Sequence, residues 1–169
     1  TSTIFNILGP LTNPAHVNYE LLGCYDVNLL ETLAKALKLT GVQRGMVING
    51  NGMDEISIFG STKVSELLAD GSIKNYELTN KDFGITGNYT QNDLLGGTPE
   101  ENATTARLIL SGKGNDAHNA VISANVSAML HLAGKTESFK DGFEIAMDAV
   151  KSGRGIEKLD AISKITSEA

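Results

Sequence analysis

Two carboxylates in succession, Asp54 and Glu55, follow the glycine-rich run Asn49-Gly50-Asn51-Gly52-Met53 at the end of a short apolar segment, 44–49. Hard oxygen donors side by side suit Mg²⁺, which keeps several waters and takes further ligands from a substrate phosphate. Glycines permit tight turns and close backbone approach. A loop beyond the carboxyl end of a strand is also where open parallel sheets bind ligands. Adjacent acids are common on ordinary surfaces too, and spacing alone favours two solvated acids. A second run, Phe5-Asn6-Ile7-Leu8-Gly9-Pro10-Leu11-Thr12-Asn13-Pro14-Ala15, sets two prolines and two asparagines around a glycine. That density fixes a backbone path with amides projecting from it, which fits the wall of a site as well as a helix exit. Third, Gly96-Gly97 leads into Thr98-Pro99-Glu100-Glu101-Asn102. Free amides at a helix start can hold an anion, but two acids in the first turn favour a structural turn.

Other chemistries find no residues. His16, His118 and His131 lack metal-ligand spacing and have no cysteine cluster near them, so zinc is not expected. No Gly-Lys-Ser/Thr follows the glycine run, and no Gly-x-Ser-x-Gly elbow occurs. Residues and spacing together reach an α/β domain with a candidate magnesium-and-phosphate loop, and no further.

The elements that must position these groups can be read from periodicity. Residues 3–9 form a helix or turn stopped by Gly9-Pro10, and 18–24 read as a strand. Asp26 caps a helix over 27–39, in which Leu29, Leu30, Leu33, Ala36 and Leu37 recur at helical spacing before Gly41. The apolar run 44–49 reads as a buried strand, completing strand–helix–strand and hence a parallel pair. Residues 61–68 and 72–79 flank Ala69-Asp70-Gly71 as a hairpin, and 80–97 reads as a long loop. Thr98-Pro99-Glu100-Glu101 opens a helix that runs to about Ser111. Three more helices follow at 115–133, 138–151 and 155–165, the first with a stripe of Val121, Ile122, Val126, Met129, Leu130 and Leu132.

Composition bounds the partners. The 169 residues form a single α/β domain, 1–169, by the usual size prior. Twenty acidic against fourteen basic residues give a formal charge of −6 without a Lys/Arg cluster, so nucleic acid is not an expected partner. No apolar run approaches the roughly 20 residues of a membrane helix. The single cysteine, Cys24, reads as a buried strand thiol in a reducing compartment. The chain opens on Thr1-Ser2-Thr3 with no initiator Met and no basic-then-apolar leader. That reads as a piece of a longer chain without a secretory signal.

Several segments, in order, resemble the anthranilate phosphoribosyltransferases: Thr3 to Ala15, then Gly52-Met53-Asp54-Glu55-Ile56-Ser57 with Gly60-Ser61-Thr62, then Gly96-Gly97 with Glu101-Asn102-Ala103 and Leu110-Ser111-Gly112. Asn125 and Ser152-Gly153 fall in the same order, and the likeness runs from Thr3 to about Leu159. The resemblance implies a fragment of a nucleoside phosphorylase/phosphoribosyltransferase-type catalytic domain: a parallel-type sheet with flanking helices, a small antiparallel insertion and a helical C-terminal third. It implies transfer of a phosphoribosyl group from phosphoribosyl pyrophosphate to anthranilate in tryptophan biosynthesis, with Mg²⁺ on Asp54 and Glu55. Asn6, Pro10, Asn13 and Pro14 would flank the anthranilate. Ser2 stands where the family usually carries an arginine for the anthranilate carboxylate. No catalytic residue is assigned. The full-length protein would be a cytoplasmic homodimer. The family's Gly-Thr-Gly-Gly-Asp phosphate loop does not occur in the sequence. Two alternatives stay open: a related pyrimidine nucleoside phosphorylase, and a non-catalytic nucleic-acid-binding paralogue, which would carry a basic face and lose the acid pair.

Overall fold

A computed structural model describes residue 9 and residues 11–167. Ser2, Asn6 and Pro10, with most of the first motif, lie outside the described residues. Four strands form one sheet in the order β1 (Tyr19–Gly23), β2 (Arg44–Gly50), β3 (Thr62–Leu67), β4 (Ile73–Leu78). β1 runs parallel to β2, with Leu22 opposite Val47, whereas β2–β3 and β3–β4 are antiparallel. The expected hairpin is therefore half of the sheet itself, and the sheet is mixed. Its turn is held by Asp70 Oδ1, which accepts from the Ser72 backbone N–H at 2.9 Å, with Gly71 at φ 80°.

The crossover between β1 and β2 is a 3₁₀ turn, Val27–Leu29, running into helix α1 (Leu30–Leu39). As expected, Asp26 caps the turn, accepting from Asn28 N at 2.9 Å. α1 buries Leu30, Leu33, Ala34 and Leu37 against Leu22, Val47 and Leu67. The pleat turns successive residues to opposite faces, so Met46 and Ile48 join the other core with Ile56, Val64 and Leu78. β2 is thus covered on both sides, which explains its unbroken apolar run. Cys24 is buried just past the end of β1, and its thiol donates to Asp26 O at 3.2 Å.

The stretch expected as loop carries a short helix α2 (Asn80–Phe83) and a 3₁₀ turn, Gln91–Leu94. Each is opened by a capping box, Thr79 with Asp82 and Thr90 with Asp93. Four helices close the chain as expected: α3 (Pro99–Leu110), α4 (Asp116–Leu132), α5 (Phe139–Lys151) and α6 (Gly155–Ser167). α4 lies on the second face of the sheet, but not by the anticipated stripe alone. Val126 and Met129 are exposed, and Ala117, Ala120, Ser123, Ala124, Ser127 and Ala128 are buried instead. Small side chains bring α4 and α5 close: Gly142 of α5 lies against Ser127, whose hydroxyl donates to Phe139 O at 2.6 Å. Among the described residues no helix is long and apolar enough to cross a membrane.

Candidate functional site

The loop carrying Asp54 and Glu55 folds back over the carboxyl ends of β1 and β2. A side chain on Gly23 would collide with the Asp54 carbonyl, and one on Gly50 with the Glu55 carbonyl. Those two glycines set the loop's height above the sheet. Asn51 and Gly52, at φ 55° and 89°, form the tight turn, closed by Gly50 N to Met53 O at 2.9 Å and Met53 N to Gly50 O at 3.1 Å. Positive φ at both central positions is the signature that Asn-Gly favours. Buried Asn49 pins the turn from below. Its Nδ2 donates to Cys24 O at 2.8 Å and Tyr25 O at 3.1 Å, and its Oδ1 accepts from Gly52 N at 3.1 Å. On the far side Asn125 Oδ1 accepts from Ile56 N at 3.3 Å while its Nδ2 donates to Val121 O at 2.9 Å. Both ends of the acid loop are held by buried or half-buried amides.

Asp54 and Glu55 keep exposed side chains at the rim of a hollow of about 460 Å³ walled by Tyr25, Met53, Leu94, His118, Val121 and Ile122. Partial desolvation, and then the Asp54 charge beside it, push the Glu55 carboxyl above its usual 4.5. Two uncompensated acids with hard oxygens call for a cation. Among the described residues no group of three His, Cys, Asp or Glu could hold a metal, so a cation here would draw its other ligands from water and a bound anion. The donor set fits Mg²⁺.

A second hollow of about 470 Å³ abuts the first and shares Leu94 and His118 with it. Gly96 and Gly97 line it, but not as an anion cradle. Asn102 occupies both polar groups of Gly97, accepting from its N–H at 2.8 Å and donating to its carbonyl at 3.1 Å. Glu101 closes the capping box on Thr98, accepting from the Thr98 N–H at 2.7 Å. The structural turn anticipated for this motif is what forms.

Asn13 and Pro14 are not brought to the acid pair. With Glu20, Thr40 and Val42 they line a separate hollow at the amino ends of β1 and β2. Asn13 Oδ1 caps its own turn, accepting from Ala15 N at 3.0 Å. The signatures Leu110-Ser111-Gly112 and Ser152-Gly153 meet each other at the ends of α3 and α5, backbone against backbone. Five wall residues carry no site assignment in the sequence reading: Tyr25, Leu94, His118, Val121 and Ile122. The Thr90/Asp93 capping box that sets Leu94 is a legible motif. His118 had a local signal too, since Asn115 N-caps α4, accepting from His118 N at 2.7 Å, which puts the histidine in the first turn.

A mixed sheet with helices on both faces, and an acid loop over the carboxyl ends of a parallel strand pair, defines an α/β domain of the kind that binds charged substrates at its strand ends. The chain matches the family described as Glycosyl transferase family, a/b domain, over residues 1–156, and it belongs to that family. Anthranilate phosphoribosyltransferase of Shewanella sp. (strain MR-4) is 43% identical over 169 residues, 100% of this chain and 48% of that protein. The Colwellia psychrerythraea enzyme of the same name is 44% identical over 166 residues, 98% of this chain and 45% of its own length. The crystal structure of anthranilate phosphoribosyltransferase from Thermus thermophilus superposes with a TM-score of 0.85 at 35% identity, over 95% of this chain and 47% of that one. The Saccharomyces cerevisiae enzyme in complex with PRPP and Mg gives 0.84 at 29% identity, over 100% of this chain and 47% of that one. The chain spans about half the length of the curated relatives it matches.

Proposed function

We propose that this chain forms the acid-loop half of an anthranilate phosphoribosyltransferase, which moves the phosphoribosyl group of phosphoribosyl pyrophosphate to the amino group of anthranilate and releases pyrophosphate. The observation that carries the reading is the acid pair over the ends of β1 and β2, in a chain of the glycosyl transferase family. Asp54 and Glu55 would hold Mg²⁺, which when bound neutralises charge on the departing pyrophosphate. The chain's own contribution is placement. Asn49 and Asn125 fix the loop, so the carboxylates need little reorganisation when a cation and its phosphate arrive. Glu55 holds its proton more tightly than an ordinary glutamate, so protons compete with the metal from a higher pH. The acceptor side, assigned by resemblance to Ser2, Asn6 and Pro10, belongs to the same proposal, whereas Asn13 and Pro14, assigned with them, line the hollow at the amino ends of β1 and β2. So do the cytoplasmic setting and the homodimer, which rest on the family likeness.

The double variant Asp54→Asn with Glu55→Gln, made in the full-length protein, tests the metal pair. Turnover at limiting Mg²⁺ is expected to fall by at least about tenfold, as loss of a charge-assisted ligand implies. The melting temperature should hold. Unchanged turnover across a Mg²⁺ titration would return the pair to solvated surface acids.

A further inference from the structure

We propose that His118 donates a ring N–H hydrogen bond to a phosphate oxygen of the donor substrate whose pyrophosphate is held by the cation on Asp54 and Glu55. The proposal rests on the function argued above and deepens it, because the acid pair leaves an electrostatic question open. Two carboxylates offset one divalent cation, so the negative charge of a bound pyrophosphate is left unmatched. Among the described residues, neither hollow at the acid loop is lined by Lys or Arg, and His118 is the one side chain lining both hollows that can donate an N–H.

Its placement fits the task. His118 is partly buried, and it alone with Leu94 faces both hollows. Its backbone is locked by the Asn115 cap, so the ring starts from a fixed point in the first turn of α4. The ring is committed to no hydrogen bond among the described residues. Competing donors are spent or confined: the Gly97 N–H is taken by Asn102, while Tyr25 and Thr105 each line only one hollow. An imidazole always keeps an N–H to give.

Calorimetric titration of the full-length protein with pyrophosphate in excess Mg²⁺ tests this, using His118→Leu, His118→Gln and the Asp54→Asn/Glu55→Gln pair. Removing a hydrogen bond to a charged oxygen is expected to weaken pyrophosphate by about tenfold or more in His118→Leu. His118→Gln, which keeps an N–H donor, should recover most of that loss. In steady state the KM for phosphoribosyl pyrophosphate should rise in His118→Leu while that for anthranilate holds. Unchanged pyrophosphate affinity in His118→Leu overturns the proposal and leaves the metal reading standing, provided the acid-pair variant loses binding. Equal losses in Leu and Gln variants, with a lowered melting temperature, would also overturn it in favour of a packing role. Full binding by the acid-pair variant would overturn the metal reading and this proposal together.

Discussion

Asn49 shows how much of the site rests on one amide. Its three hydrogen bonds join the end of β1 to the turn that presents the acids, and none of its partners is another side chain. Asn49→Asp keeps the shape but sets a carboxylate oxygen against the carbonyls of Cys24 and Tyr25. We expect it to cost about 2–4 kcal/mol, more than Asn49→Ala, because it buries opposed acceptors as well as losing donors; chemical denaturation of the two variants checks the order. Glu66 is a second residue with a measurable signature. It is buried on β3 between Arg44 at 3.3 Å, Tyr76 OH at 2.8 Å and His131 at 3.6 Å. Burial alone would raise its carboxyl, but the contacts from His131, Tyr76 and Arg44 outweigh that and hold it below its usual 4.5. A depressed acid stabilises the fold above its unfolded value and loses that contribution as pH falls through the folded one. The melting-temperature gap between wild type and Glu66→Gln should therefore be widest above about pH 5 and close in more acidic buffer. A constant gap across that range would show a purely steric role. None of these partnerships was legible in sequence: Glu66 finds His131 on another element, and nothing in a strand's alternation names that partner.

At the scale of elements, the sequence was most informative where local chemistry decides. Caps at Asp26 and Thr98 and the turn at Asp70-Gly71 act within three residues, and all form; Asn115 and Ser138 cap their helices by the same local chemistry. The boxes at Thr79 and Thr90 have the same spacing, so the long connection was readable but read as loop. In helix α4 apolarity is a poor sign of burial. At a close helix–helix contact small size decides instead, and Ala and Ser take the inner face. Gly142 tests that account. Alanine at an ordinary helical glycine stabilises by about 0.5–1 kcal/mol. Here its Cβ would sit 2.7 Å from Ser127 Oγ and 3.1 Å from both Ser127 Cα and Thr136 Oγ1. Overpacking of that kind costs about 1–3 kcal/mol. Gly142→Ala should thus destabilise, read as a lower urea midpoint with the slope unchanged; a raised midpoint would mean that α4 and α5 can part without loss.

For the whole molecule, the half of the relatives' length that this chain does not span bears directly on activity. Phosphoribosyl pyrophosphate carries its charge on a pyrophosphate and a 5′-phosphate. On the proposed function, the hollows at the acid loop would offer it metal ligands and one imidazole, with no glycine-rich cradle in the sequence to hold it. Alignment of donor and acceptor accounts for much of such a rate enhancement. Residues 1–169 alone should therefore form no phosphoribosyl anthranilate above background at millimolar donor and Mg²⁺, followed by product fluorescence. Turnover by the isolated chain would show that these residues suffice to hold and align the donor. The order of motifs along the chain announced the family, whereas the separation of Asn13 and Pro14 from the acid pair did not follow from it. Order in sequence carries no information about which end of a sheet a loop returns to.

The Asn51-Gly52 turn has a consequence in time. An asparagine followed by glycine ages by attack of the glycine nitrogen on the side-chain amide, which expels ammonia and leaves a succinimide; water then opens it to a new carboxylate, with or without a lengthened backbone. In this protein the attacking N–H is already committed to Asn49 Oδ1 at 3.1 Å, so the residue that shapes the loop also shields it from ageing. Once that shield is gone, slow covalent damage would place a third negative charge beside Asp54 and Glu55, and the site would decay long after the fold had settled.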